Sequence, residues 1–430
     1  MITTPWGAFD AGHPPANTVH GTPRDPRGHV RAMTLRDLAD LTDAKDLILE
    51  EGLYVPGKTG ASDSMYAIVA PSKQQKEAAA FAVPGALWDW HGRMVDQDGM
   101  GASEKIIVYL ARALAADHRV DVFGPVPEAD TYQRVRYWPR EQIRYLASTD
   151  QKIVVSRSPT YARTIDEWVG KPTQKILWLQ DAWYPDLTPE AADQYERIVV
   201  VSEWHKRAMQ ERHCIPLDKM VVLWNFILPE LYAPSDAVTR KRDHFIYASS
   251  PDRGVIRLLD LWPKILRKLP EATLDIFYGF RGAARLSTGD PNWTQKYEAT
   301  RKDFEALRHQ KGVKFHGMIP PARMAREFMR AGVWLYPTKF EETYGTVATE
   351  ARAAGCVPVC PKLAGLAESA DITAHQPFWI PDVDNDDDVV ASAVLASQLD
   401  DGSRTRMAEE AIEKHQIGAF LTKWKELLRQ

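Results

Sequence analysis

The sequence predicts an α/β protein of two doubly wound, Rossmann-like domains facing across a cleft, with a short N-terminal appendage. Three observations carry this. From about residue 84 onward, short β-branched or aromatic runs alternate with amphipathic helical patterns. The alternation breaks once, over Asn225 to Arg240, and then restarts. A chain of 430 residues with 44% hydrophobic content is also long enough for two cores of ordinary size.

Residues 1–75 differ in texture from the rest. They are rich in Pro, Gly and His up to Gly28, then offer one helical pattern, MTLRDLADLTDAKDLI, and one strand-like run, MYAIVA. That is too little for an independent core. In GASEKIIVYLARALAADHRVDVFG a loop leads into a helix with Ile106, Ile107, Leu110 and Leu114 on its apolar side, and then into a strand. KIVVSRS, KILWLQD, RIVVVSE and KMVVLWN have the length and apolar character of buried parallel strands, with WHKRAMQERHCI as a helix before the last. These make a first domain over 76–228. NFILPELYAPSDAVTR, Asn225 to Arg240, has the proline and polar content of an interdomain linker. HFIYAS, GVIRLLDLWPKILRKL, TLDIFYG, GVKFHG, ARMAREFMRA and VWLYP then rebuild the alternation as a second domain over 240–410. Residues 411–430 are expected to form a helix packing back on the first domain.

Composition narrows the function classes. A formal net charge of −4 speaks against a nucleic-acid partner, which would demand a surplus of Lys and Arg on one face. The basic and aromatic run RVRYWPREQIRY, Arg134 to Tyr145, is read as solvated surface in preference to a patch for an acidic partner. Cys214, Cys356 and Cys360 are too few and too scattered for a disulfide framework or a zinc site, which makes reduced packing residues and a cytoplasmic setting the expectation. The N-terminus carries no secretory pattern, and no run approaches the roughly 18 apolar residues of a membrane span. Contact with the inner face of a membrane through an amphipathic surface is left open.

The chemistry concentrates in KFEETYGTVATEARAAGCVPV, residues 339–359. AGVWLYP before the loop and CVPVCP after the helix read as strands, so this is a strand, loop, helix, strand unit. A helix beginning near Tyr344 or Gly345 offers the free amides of Gly345, Thr346 and Val347, and the half positive charge of its dipole suits a phosphate. Glu350 lies too far inside to act as a first-turn acid, and is placed to accept from two neighbouring hydroxyls. Glu342 precedes the helix. Both could be plain surface glutamates; together they suit a ligand with hydroxyls at each end and a diphosphate between.

This pair of glutamates eight positions apart, with its internal glycine and the EARAAG ending, closely resembles the signature of glycosyltransferase family 4, retaining enzymes of the GT-B fold. The resemblance spans roughly residues 95–428. ASEKIIVYLARALAADHRVDVFG is similar to the family's first loop and helix, VVVSEWHKRAMQER and KMVVLWN to the end of its first domain, and GVKFHGMIPPARMAREFMRAGVWLYP with the glutamate segment to its donor domain. LAGLAES resembles the turn that follows. The resemblance implies that Glu350 holds the ribose hydroxyls of a nucleotide-sugar donor and Glu342 contacts the donor sugar. It also implies that Gly345, Thr346 and the adjoining Tyr344 line the diphosphate site, with Arg253 of SSPDRGVIR binding the diphosphate and Arg257 assisting. Arginine suits that task because its fork reaches two phosphate oxygens. Gly101 matches the first glycine of the family's opening loop, while Ala102 replaces the second. Ala-Ser-Ser of YASSPDRG stands where the family has a further arginine, and Asn225-Phe226 where it often has Asn-Gly. HVRAMTLRDL in the appendage resembles the C-terminal end of a class I SAM-dependent methyltransferase, without the glycine-rich loop that would hold the methyl donor.

On the acceptor side, Asp181 of WLQDAWYPD ends a strand and is placed to accept an acceptor's hydroxyl proton, or is a turn residue; Trp183 and Tyr184 could stack a sugar or pack the rim. GMG lacks the third glycine of a dinucleotide fingerprint and follows no strand, which argues against NAD. The acidic run DVDNDDDVV is read as a loop and helix start. No cofactor and no metal are expected, since the basic residue and helix amides answer the diphosphate charge. The expected partners are a nucleotide sugar, UDP- or GDP-linked, and a glycan, lipid-linked or small-molecule acceptor, as in polysaccharide biosynthesis. A GT-B epimerase or phosphorylase, or a non-catalytic sugar-nucleotide-binding relic, are the alternatives.

Overall fold

The structure is a computed structural model, and it describes residues 2–5, 47–51, 64–69, 77–85, 89–146, 152–169, 174–233, 238–280, 291–371 and 378–429. In the appendage β1 (Ile2–Pro5), β2 (Leu47–Glu51) and β3 (Ser64–Val69) form a small antiparallel sheet in the order β1-β3-β2. The strand expected at MYAIVA is β3; the helical pattern from Met33 and the stretch resembling a methyltransferase lie almost wholly outside the described residues.

The first domain is built on an eight-stranded sheet. Its strand β4 (Ala78–Ala82) lies in the interior, paired in parallel with β5 (Arg119–Gly124) and β8 (Lys152–Ser156). The sequence gives no warning of β4: AAAFA contains no β-branched residue, and alanine favours helix. It is a strand because three small residues and Phe81, fully buried from Ala79 to Ala82, let helices close on both faces. Between β4 and β5 runs α1 (Ala102–Leu114), whose apolar side enters the core as the spacing predicts. β6 (Asp130–Tyr132) and β7 (Val135–Pro139) extend the sheet beyond β5. This corrects the reading of Arg134 to Tyr145 as solvated surface: Val135 and Tyr137 are fully buried, and Arg136 pairs with Asp121 at 2.5 Å. α2 (Tyr161–Trp168), β9 (Gln174–Trp178), β10 (Arg197–Val200), α3 (Glu203–His213) and β11 (Met220–Val222) complete the domain.

The second domain holds a six-stranded parallel sheet. Its elements are β12 (Lys241–Ala248), α4 (Val255–Lys268), β13 (Thr273–Phe277), α5 (Pro291–Leu307), β14 (Val313–Gly317), α6 (Pro321–Arg330), β15 (Ala331–Leu335), α7 (Thr346–Ala353), β16 (Val357–Pro361), β17 (Phe378–Ile380), α8 (Asp386–Ser397) and α9 (Asp401–His415). The order is β14-β13-β12-β15-β16-β17, a doubly wound sheet with its switch point between β12 and β15. As expected, the acidic run is a loop leading into the start of α8, which Asn385 caps. Cys356 and Cys360 are buried free thiols, and Cys214 is a free exposed one.

Two crossings join the domains. The start of the expected linker is part of the seam: Asn225, Phe226 and Ile227 are buried. Ile227 N–H donates to His415 O at 2.9 Å and Ile417 N–H to Ile227 O at 3.0 Å, so the outgoing and returning chains are paired. α10 (Ile417–Arg429) then packs on the first domain, where Trp424 meets Trp178 at 4.7 Å between ring centroids. The return to the first domain starts at Gln416, not at 411, because Met407 and Ala411 of α9 belong to the second core and Arg352 of α7 holds Glu410 at 3.1 Å. No helix among the described residues is long and apolar enough to cross a membrane.

Candidate active site

Both sheets end their strands at one interdomain cleft of about 570 Å³. It is lined by Gly101, Asp181, Arg253, Glu342, Tyr344, Gly345, Thr346 and Glu350, so all but one of the residues singled out from sequence meet there. Two helices start at it: α1 from the first domain, with Gly101 as its N-cap, and α7 from the second, with Gly345 as its N-cap. Each presents unpaired amides and the positive end of its dipole to the same space.

Gly345 is a glycine for two reasons. Its φ of 77° is left-handed, and a Cβ there would come within 2.6 Å of Leu366 Cδ2. Gly365 N–H donates to Glu342 O at 2.8 Å, so the LAGLAES turn braces the loop carrying the first glutamate. Across the seam Glu368 accepts from the amides of Glu203 and Trp204 at 3.0 and 2.8 Å, and Thr343 Oγ1 donates to Gln180 O at 2.7 Å. The glutamate loop is thereby fixed relative to the first domain.

Arg253 ends a short turn before α4. Its Nη1 donates to both oxygens of Glu342, at 3.0 and 3.2 Å, and its guanidinium lies over the Phe340 ring at 3.9 Å. Tyr336 donates its hydroxyl to Glu342 Oε1 at 2.6 Å. Burial works against the Arg253 charge, but Glu342, Tyr336 and Asp252 more than offset it and push its pKa up. Among the described residues Nη2 has no hydrogen bond, which leaves one arm of the fork for a ligand.

Glu350 is buried and accepts from Lys105 Nζ of α1, an ion pair that joins the two domains at the floor of the cleft. Nothing local in ASEK marks Lys105 as the partner of a carboxylate in the other domain. Asp181 is likewise not alone: Arg157, at the end of β8, donates to its two oxygens at 2.8 and 3.4 Å and to Glu104 at 3.3 Å. Burial opposes the Arg157 charge, yet Asp181 and Glu104 together raise its pKa; burial raises that of Glu104, with Arg157 pulling the other way. A polar residue at the C-terminal end of a strand is the signal that could have found Arg157 in KIVVSRS. His205 carries the Asp181 backbone. Burial lowers its pKa to about 4, and the neutral ring accepts from Val201 N–H at Nδ1 and donates from Nε2 to Asp181 O at 3.0 Å.

Three expectations change. Arg257 does not line the cleft: its guanidinium donates to the carbonyls of Val383 and Asp384 and pairs with Asp386, where it anchors the start of α8. Tyr344 offers only its backbone, since its buried phenol meets His415 Nδ1 at 2.8 Å in the seam. Tyr184 is also structural, its hydroxyl accepting from the amides of Gln180 and Asp181 at 2.8 Å each, while Trp183 stands 60% exposed at the rim.

Residues 241–414 match the family model described as glycosyl transferases group 1. A comparison with curated proteins finds no match. Among solved structures, the fold is similar to that of Anabaena Alr3699/HepE in complex with UDP-glucose, with a TM-score of 0.61, 13% identity, and 82% of this chain and 99% of that one covered. It is also similar to the sucrose-phosphate synthase of Thermosynechococcus elongatus (TM-score 0.59, 14% identity, 83% and 98% covered). A third is the α,α-trehalose-phosphate synthase (UDP-forming) of Burkholderia vietnamiensis (TM-score 0.60, 12% identity, 83% and 99% covered). At such identities the likeness shows the fold, which is GT-B, and the family match falls on the second domain.

Proposed function

We propose that this chain, carrying a group 1 glycosyltransferase domain over residues 241–414, is a retaining glycosyltransferase of family 4 that moves a sugar from a nucleoside-diphosphate sugar to a hydroxyl of a glycan, lipid-linked or small-molecule acceptor. The observation that carries the reading is the convergence on one cleft of Arg253, Glu342, the α7 amides and Glu350 from one domain with Asp181 and Arg157 from the other.

In this reading the diphosphate lies between the starts of α7 and α1, where the free Nη2 of Arg253 and the amides of Gly345 and Thr346 hold its charge. Those groups are preorganised, so the leaving diphosphate is stabilised as its charge develops. Glu342, fixed by Arg253 and Tyr336, faces the donor sugar. Glu350 takes the ribose hydroxyls, sharing its carboxylate with Lys105. Asp181 accepts a hydrogen bond from the acceptor hydroxyl, and Arg157 keeps the carboxylate turned to the cleft. The acceptor enters on the face from which the diphosphate leaves. The reading calls for no divalent metal, because Arg253 and the helix amides supply the positive charge.

A thermal-shift screen with UDP, GDP, ADP and their common sugar conjugates, with and without EDTA, tests it. A ligand that binds only the folded state raises the melting temperature by mass action. The HepE and trehalose-phosphate synthase neighbours make uridine compounds the first choice. A shift that survives EDTA and favours one base is the expected result. No shift with any of them, from a folded sample, overturns the donor site; a shift without donor hydrolysis or transfer overturns catalysis and leaves the sugar-nucleotide-binding relic.

A further inference from the structure

Tyr278 follows β13 at the cleft with φ of 92°, a left-handed value that bulky side chains avoid. The backbone shows how it is held there. Ile276 pairs with Phe315 but Phe277 pairs with Gly317, so β14 carries one extra residue opposite β13. Such a bulge sharpens the twist and re-aims the side chains beside it. Gly317, itself at φ 71°, accepts from Tyr278 N–H at 2.9 Å and closes the distortion. A glycine would relieve the strain at once. Strain of this kind persists where the surrounding structure over-determines it, commonly at ligand sites.

The distortion delivers a phenol to the middle of the cleft. Its electrostatic neighbours are Arg253 and Asp252 of the second domain and Glu104 and Arg157 of the first. Burial raises its pKa, keeping it a neutral donor. No hydrogen bond among the described residues holds the hydroxyl. The hydroxyls nearest Arg253 in sequence are already engaged: Ser249 Oγ with the Tyr336 hydroxyl at 3.2 Å, and Ser250 Oγ with Asp252. The segment YASSPDRG thus offers an anion Arg253 and little else.

We propose that Tyr278 is a donor-binding residue whose hydroxyl donates to the terminal phosphate of the nucleoside diphosphate beside Arg253, an inference that rests on the nucleotide-sugar reading above. It supplies from β13 the contact that Ala248, Ser249 and Ser250 do not make.

Tyr278→Phe removes only the hydroxyl. Titration of the wild type and this variant with UDP, GDP and ADP, and with the matching monophosphates, is expected to show about tenfold weaker binding of the preferred diphosphate and an unchanged monophosphate affinity, as for one hydrogen bond to a charged oxygen. Tyr278→Gly is expected to bind the diphosphate at least as poorly as Tyr278→Phe. Wild-type binding together with a Phe variant within twofold of it for the diphosphate overturns this inference alone. A Gly variant that binds the diphosphate as tightly as the wild type overturns it too. A wild type that binds none of the diphosphates overturns the nucleotide-sugar reading and this inference with it.

Discussion

At the scale of single residues, the two glutamates that dominate the sequence signal have unequal surroundings. Glu342 is held by Arg253 and Tyr336, so replacing it by Gln removes the negative charge facing the donor sugar while leaving a side chain of the same size. Glu342→Gln is expected to cut turnover about 100-fold, the scale of losing one preorganised electrostatic group, with nucleotide affinity little changed. Steady-state rates beside a binding titration check this, and parent-like turnover would refute the assignment. Glu350→Ala is expected to weaken donor binding, and to do more. It strands Lys105, whose side chain is only 9% exposed, and an unpaired buried charge costs about 3–5 kcal/mol. Denaturant melts should show that loss, and the double variant Lys105→Met/Glu350→Leu should recover most of it without recovering binding. The sequence identified both carboxylates because their spacing from a helix start is a local property. It could not show Lys105 as the partner of Glu350 or Arg253 as that of Glu342, because those contacts span 245 and 89 positions of chain.

At the scale of elements, α7 is legible almost to the residue: Gly345 marks its start and Gly355 the turn beyond its end. Gly345→Ala forces a side chain into a left-handed conformation and against Leu366, with an expected cost of about 1–3 kcal/mol. The displaced first turn should also lose nucleotide binding, which the same thermal-shift assay reads. β4 shows the opposite case. Its alanines point locally to helix, and it becomes a strand because β5 and β8 hydrogen-bond to it on either side. With Ala80 fully buried there, Ala80→Leu should destabilise by about 1–3 kcal/mol through overpacking, measurable as a lowered denaturation midpoint.

At the scale of the whole molecule, the seam contains two buried histidines with depressed pKa values, both through burial first: His205 at about 4 and His415 at about 3, against an ordinary 6.5. The folded protein keeps them neutral while the unfolded chain takes up protons as the pH falls below 6.5. Their contribution is therefore intact above about pH 6.5 and is lost on acidification toward pH 4, by about 3 kcal/mol for His205 alone. Melting temperature against pH should fall through that window, and His205→Gln should flatten part of the slope. Residues 1–75 precede the first strand of either large sheet. Their removal is expected to leave one cooperative melt near that of the full chain; aggregation would show the segment to be structural.

The sequence by itself determined the fold class, the two-domain division and the positions of the donor-side groups, because periodicity and helix-start chemistry act over a few residues. Tertiary structure alone decided which of those groups face the cleft. Arg253 and Arg257 are four positions apart, yet one meets Glu342 and the other the start of α8, since Arg253 sits in the turn ahead of α4 and the left-handed Gly254 separates it from the helix that carries Arg257. The same holds for β4, for the pairing of Lys105 with Glu350, and for the bulge that turns Tyr278 inward: each depends on strands or helices distant in the chain, whose approach no local pattern encodes.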